Sequence, residues 1–185
     1  QTPILAVLQR VFADCGDILE IGSGTGQHAA YCAPRLPHLR WQTSDLRGTH
    51  PGILAWLADC PAPNLLAPLD LDVDREPWPV GRKDGVFSAN TCHIMAWGSV
   101  VNLFAGVGRV LEPGGVLAIY GPFNYGGQFT SASNARFDVW LKRQAPHQGI
   151  RDFDAVNGLA EAAGLELLED NAMPANNRLL VWRRG

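Results

Sequence analysis

Apolar positions along this chain repeat with two alternating periods, and the alternation predicts the class of fold. Residues 3–13 place Ile4, Leu5, Leu8, Val11 and Phe12 at helical spacing, and Asp17 to Ile21 follows as a short buried strand. Beyond a glycine cluster, QHAAYCAPRL predicts a helix that stops near Pro37. LRWQTSD is then a second strand, THPGILAWLADC a helix and NLLAPLDLDV a third strand. DGVFSAN is the fourth strand. VVNLFAGVGRVL carries apolar residues three to four apart and predicts a helix, stopped by EPGG before a fifth strand, VLAIYGPF. Residues 124–149 are polar and glycine-rich until Phe137, Trp140 and Leu141, which predicts a loop, a candidate lid, leading into a short helix. Asp152 or Asp154 caps a helix over AVNGLAEAAG, Gly164 ends it, and LELLEDNAM and RLLVWRR are terminal strands joined by PANN. The expected fold is α/β, a Rossmann-like doubly wound sheet. It is seven-stranded and mostly parallel, closed by a C-terminal antiparallel hairpin, with residues 1–185 as one domain.

Composition narrows the partners. A chain of 185 residues with 46% hydrophobic content has the size of one domain with a full core. Its net charge is −3 with the charges interleaved, unlike the basic surface that binds phosphate backbones, so nucleic acid is not an expected partner. Cys15, Cys32, Cys60 and Cys92 lack C-x-x-C spacing and the density of a secreted disulfide scaffold; a reducing cytoplasm fits them, as small core residues. No apolar run is long enough for a membrane span, and QTPILAVLQRVF lacks the features of a signal peptide. The chain begins without methionine, which points to missing native N-terminal residues. No cluster of His, Cys and carboxylates has metal-ligand spacing, and no metal is expected.

The candidate chemistry starts at ILEIGSGTGQH. Gly22, Gly24 and Gly26 give G-x-G-x-G rather than the dinucleotide pattern G-x-G-x-x-G, and Glu20 stands two positions before the first glycine. A pyrophosphate prefers bare amides and a helix N-terminus, so a carboxylate there opposes it and favours a cationic ligand. The competing structural reading is a turn that needs glycine for backbone reasons alone. Asp45, 19 positions after Gly26 at the end of the second strand, stands where this fold places the acid that grips two ribose hydroxyls. A loop-capping aspartate is the plainer alternative, and NAD carries the same ribose. Asp72, flanked by Asp70 and Asp74, ends the third strand, either beside an adenine amino group or as a solvated strand end.

ILEIGSGTGQH resembles motif I of the class I methyltransferases, E/D-x-G-x-G-x-G, although Gln27 and His28 replace the small or hydrophobic residue that often follows. SANTCHIMAW, LEPGG, YGPF, FTSASNARFD, GIRD and MPANN look like the signature blocks of the DUF938 family, proteins of the methyltransferase-like 26 type. That resemblance implies a class I methyltransferase fold and S-adenosylmethionine as cofactor, whose sulfonium and ammonium suit an acidic site. It implies Glu20, Gly22, Ser23, Gly24, Gly26, Asp45, Asp72 and Asn90 as cofactor positions, with Leu46, Leu71 and Val73 beside them. The family's substrate is undefined.

Methyl transfer expels a neutral leaving group, so catalysis is chiefly placement of the nucleophile, with a base only for a reluctant one. Asn90-Thr91-Cys92-His93 lacks the prolines of the [ND]-P-P-[YFW] motif that marks enzymes acting on adenine or glutamine nitrogens, and N-x-x-H-I-x-x-W resembles enzymes acting on small molecules. His93 is the candidate base, against the alternative of a locally bonded histidine at a helix start. Tyr120 is the second catalytic candidate, against a core tyrosine with a satisfied hydroxyl. Phe123, Tyr125, Phe129, Asn176 and Asn177 are the expected acceptor walls, His28 is packing or lining, and Arg151 pairs with an acidic acceptor or with Asp152 or Asp154. The expected activity is methyl transfer to a small-molecule acceptor. A non-catalytic cofactor-binding or interaction protein is the main alternative, and an NAD-dependent oxidoreductase is disfavoured by Glu20 and the glycine spacing.

Overall fold

The hydrophobic periods resolve into nine strands and six helices in the computed structural model, which describes residues 1–185. Strands β1 (Asp17–Ile21), β2 (Arg40–Asp45), β3 (Leu65–Asp70), β4 (Lys83–Ala89), β5 (Leu111–Gly121), β8 (Leu165–Met173) and β9 (Asn177–Arg184) form one sheet in the order β3-β2-β1-β4-β5-β9-β8. The first five are parallel, and β9 pairs antiparallel with both β5 and β8. The expected Rossmann-like sheet with its closing hairpin is therefore present. β6 (Phe123–Asn124) and β7 (Arg151–Asp152) make a separate short parallel pair.

Burial on both faces explains why apolar residues of the central strands point to either side. Leu19, Ile21, Val86, Leu117 and Ile119 face α4 (Trp97–Val110) and α6 (Phe153–Ala162), through Leu103, Phe104, Val107 and Val156. Ile18, Phe87, Val116 and Ala118 face α1 (Thr2–Val11) and α2 (Gln27–Cys32), through Leu5, Leu8, Ala29 and Cys32. Helix α3 (His50–Asp59) lies beside β3 at the sheet edge. No helix is long and apolar enough to cross a membrane.

One segment differs from expectation. EPGG is not a stop between helix and strand: β5 already begins at Leu111, and the four residues are absorbed where the pairing shifts between Lys83 and Gly85. Residues 124–149 follow the expected order of a loop leading into a helix, which at thirteen residues takes half of the segment. After a tight turn bridged between Tyr125 and Gln128, Ser131 caps α5 (Ala132–Gln144), accepting from the Asn134 backbone N–H at 3.1 Å. The buried Asp138 then accepts from the Ile150 N–H at 2.8 Å and from Lys142 Nζ at 2.6 Å, fixing the chain that returns to β7.

Close approach of α4 to its neighbours depends on missing side chains. A Cβ on Gly106 would stand 2.0 Å from Trp78 Cζ2, and Trp78 is buried. Gly106→Ala should therefore destabilise the fold by about 1–3 kcal/mol or more, since a buried indole has nowhere to move. Gly158→Ala in α6, where a Cβ meets nothing within 4 Å, should instead stabilise it by roughly 0.5–1 kcal/mol. Chemical unfolding of both variants checks the contrast, and equal effects would contradict this account.

Candidate functional site

The first glycine loop lies where β1 and β4 are neighbours but their following helices pack on opposite faces. The carboxyl ends of these strands are left uncovered, as expected at a topological switch point. A cleft of about 560 Å³ opens there. It brings together Gly22, Gly24, Asp45, Leu46, Leu71, Asp72, Val73 and Asn90, all expected as cofactor positions. Ile21, Thr49, Asp74, Ala89, Thr91, Ile94, Met95 and Ser99 complete its wall and are not among the expected site residues. Ile21 and Ala89 end their strands, Asp74 flanks Asp72, and Thr91, Ile94 and Met95 fall within SANTCHIMAW, whereas Thr49 and Ser99 carry no signal of their own.

Two glycines are required for different reasons. Gly22 has φ 70°, and a Cβ there would lie 2.3 Å from Thr91 Cγ2, so only hydrogen lets the loop meet the chain leaving β4. Gly24 has φ 59° and nothing within 4 Å of its Cβ position, so its backbone faces open cleft. Asp45 ties the loop down, accepting from Gly24 N–H and from Leu46 N–H, both at 2.7 Å. Its carboxylate retains lone pairs for further donors. Gly26 does not line the cleft: it starts α2, against Ile53.

Glu20 and Ser23 depart from their expected place. Side chains alternate along β1, so Glu20 shares the face of Ile18, away from the cleft, and is 1% exposed. Its Oε2 accepts from Ser23 Oγ at 2.9 Å and from Trp41 Nε1 at 3.1 Å. Burial raises the Glu20 pKa to about 7, against the lowering effect of the Trp41 and Ser23 bonds. This carboxyl thus anchors the glycine loop from beneath, and Ser23, also buried, is the link.

The charge in the cleft comes from its rim instead. Asp45, Asp72 and Asp74 line it, and no Lys, Arg or His does. Asp72 accepts from Asp74 N–H at 3.0 Å and pairs at 3.3 Å with the exposed Arg75, while Asp74 accepts from Ser99 Oγ at 2.7 Å and Asn102 Nδ2 at 2.9 Å.

Asn90 joins this cleft to a second cavity of about 470 Å³. Its φ of 59° is left-handed, a sparsely populated conformation held by its N–H bond to the Tyr120 carbonyl at 2.8 Å. His93, Pro122, Ser133, Asn134, Phe137, Ala175, Asn176 and Asn177 line the rest. His93 is 6% exposed, lies edge-on to Phe137 at 5.4 Å and makes no ring hydrogen bond to the protein. Burial, and secondarily the Arg151 charge, lowers its pKa to about 4, so the imidazole is neutral at neutral pH. Arg151 acts as a clamp, not a partner for an acid: it donates to the carbonyls of Cys92, Met95 and His147.

The other expected catalytic and acceptor residues divide. Asn176 and Asn177 line the second cavity, but Phe123, in β6, is 1% exposed and belongs to the core that packs with α4 and α6. Tyr125 lies outside the cavity, its hydroxyl donating to Asp170 Oδ2 at 2.7 Å and its ring stacked on Phe153. Tyr120 also lies outside, with its hydroxyl accepting from Asn177 Nδ2 at 3.0 Å. Phe129 is exposed, and His28 packs edge-on to Phe87 with Nδ1 buried and unpaired. Asn134 and Phe137 were not expected in the site, although both lie in the FTSASNARFD block and Phe137 belongs to the apolar spacing with Trp140 and Leu141.

Residues 1–184 match the profile of a family described as "Protein of unknown function (DUF938)". Among solved structures, an O-methyltransferase family protein from Burkholderia thailandensis is similar at TM-score 0.88 with 19% identity, covering 100% of this chain and 56% of that one. A putative O-methyltransferase from Nostoc punctiforme gives 0.85, with 14% identity and coverages of 99% and 56%. Human N-acetylserotonin methyltransferase in complex with SAM gives 0.77, with 15% identity and coverages of 100% and 54%. The chain spans little more than half the length of these proteins, and at such identities the likeness is one of fold.

The buried Glu20 makes a pH-dependent prediction. Its folded pKa is raised, so the stability it contributes is fully present below the ordinary carboxylate value and is lost as pH rises through about 7. Over that window the loss amounts to roughly 3 kcal/mol at most. Glu20→Gln keeps an oxygen for Ser23 and Trp41 and removes the titration. The stability of the variant relative to the parent should rise steadily between about pH 5 and pH 8, measured by urea unfolding; a pH-independent difference would refute the buried charge.

Proposed function

We propose a function from one premise: the chain belongs to the DUF938 family, whose description assigns no activity, so the cleft is read for its own chemistry. The reading is a methyltransferase that takes S-adenosylmethionine in the larger cleft and a small-molecule acceptor in the second. One observation carries it: three carboxylates and no basic side chain line a cleft at the switch point of this fold. Such a lining repels a pyrophosphate and suits a ligand carrying cationic sulfur and nitrogen beside an adenosine. The structural neighbours bear methyltransferase names, and the human one is complexed with SAM, which supports the same reading.

The residues present fit that cofactor. Asp45 has acceptor capacity left for ribose hydroxyls, Asp72 stands ready for an adenine amino group, and Leu46, Leu71 and Val73 give the apolar walls a base requires. The bare backbone at Gly24 admits close approach, and Asn90 stands at the junction of the two cavities. When bound, S-adenosylmethionine supplies an electrophilic methyl group on a sulfonium.

The chain's own contribution is placement, exclusion of water and custody of a proton. His93 Nδ1 and Asn90 Oδ1 both come within 4.0 Å of the Cβ position on Gly121, so they converge beside the junction. A neutral His93 can accept a proton from a hydroxyl held in the second cavity. With a pKa of about 4 it is a weak base, which places more of the catalytic work on orientation. A second reading, a cofactor-binding protein without turnover, draws on the same fact: no carboxylate bonds to His93 to raise its basicity.

Isothermal titration with S-adenosylmethionine, S-adenosylhomocysteine and NAD is the test. The first two should bind and NAD should not. Asp45→Ala should weaken them by about tenfold or more, the cost of one or two charged hydrogen bonds. Binding of NAD alone, or unchanged affinity in Asp45→Ala, would overturn the assignment.

A further inference from the structure

The second cavity carries more information than its shape, because its amide groups are already partly spent. This inference rests on the reading of that cavity as the acceptor site. Asn134 donates both Nδ2 hydrogens within the protein, to Thr130 Oγ1 at 3.0 Å and to the Asn176 carbonyl at 3.1 Å. Asn177 likewise donates both, to Tyr120 Oη at 3.0 Å and to the Pro174 carbonyl at 3.2 Å. A backbone carbonyl only accepts, so each amide is fixed with its nitrogen toward the protein and its Oδ1 toward the remaining space. Neither Oδ1 has a partner. The chain's buried unpaired polar side-chain atoms are His28 Nδ1 and Asn124 Oδ1, so both of these oxygens keep access to the cavity they line.

The cavity thus offers fixed acceptors with their donors withheld. His93, neutral at neutral pH, adds one ring nitrogen able to accept and one N–H able to donate. No charged side chain lines the space, so a carboxylate, phosphate or ammonium entering it would lose water without gaining a counter-charge. One wall is a held aromatic face: Phe137 stacks on Trp140 at 5.7 Å and 13°, and meets the edge of His93. We infer that the acceptor is an uncharged planar aromatic molecule carrying at least two hydroxyl groups, which donate to Asn134 Oδ1 and Asn177 Oδ1 while its ring lies against Phe137. At these two positions a carbonyl-rich acceptor is disfavoured because it would set oxygen against oxygen, and a charged one is disfavoured because no charged side chain lines the cavity.

The test is calorimetry on the full chain, with and without S-adenosylhomocysteine, using three probes: a dihydroxynaphthalene, its dimethyl ether and its carboxylated analogue. The diol should bind at least about tenfold more tightly than either, the loss expected when two acceptors covered by the probe go unpaired or a carboxylate loses its water. Asn177→Val should shrink the preference for diol over ether by several-fold. Asn134→Ala, read in the same way, serves if the first variant fails to fold by circular dichroism. Equal binding of diol and ether, tighter binding of the carboxylate, or no binding of any probe to protein that does bind S-adenosylhomocysteine would overturn the inference alone. Diol binding without any S-adenosylhomocysteine binding would leave it standing and overturn the methyltransferase reading instead.

Discussion

Everything functional in this chain follows from one topological constraint: β1 and β4 lie side by side, yet the helices that follow them pack on opposite faces of the sheet. Right-handed crossovers that start in opposite directions cannot cover the strand ends between them. The glycine loop, the ends of β2 and β3 and the chain after β4 all border that opening. The core makes it rigid, since each central strand is locked by apolar contacts on both faces.

Two electrostatic regimes sit next to each other across Asn90. The larger cleft is acidic at its rim, with Asp45, Asp72 and Asp74, whereas the smaller cavity has no charged lining. Chemistry that starts from a cation and ends on a neutral acceptor fits such a boundary. The second cavity also concentrates backbone strain. Asn90 is left-handed, and so are Ala175 and Asn176 at the turn between β8 and β9. An alanine at positive φ is costly and persists only when the surrounding structure over-determines it. Here the hydrogen bonds of Asn134 and Asn177 to the Asn176 and Pro174 carbonyls do so.

The misplaced residues share a cause. Glu20 reads as a ligand carboxylate because it precedes the glycines, yet strand alternation sends it to the face of Ile18 and toward Trp41. Phe123 and Tyr125 follow a strand end, as site residues do, but the short β6 and β7 pair and the Phe153 ring draw them elsewhere. In residues 124–149 the spacing of Phe137, Trp140 and Leu141 marks the helix, while its thirteen-residue extent comes from the Ser131 cap and from Asp138 bonding to Ile150.

Local periodicity and loop chemistry are written in the sequence itself. They determined the order of strands and helices, the parallel sheet with its closing hairpin, the glycine loop, and Asp45, Asp72 and Asn90 at the cleft. Most of these features depend on residues within a few positions of one another, so spacing reveals them, while Asn90 is implied by the family resemblance of the segment around it. Only the tertiary structure decided which face Glu20 takes, and that α5 delivers Asn134 and Phe137 to a cavity shared with His93 and Asn177. It also decided that the amide donors of Asn134 and Asn177 are already used. Those facts arise from contacts between segments dozens of residues apart, and whether a hydrogen-bonding group is free depends on every neighbour that folding brings to it.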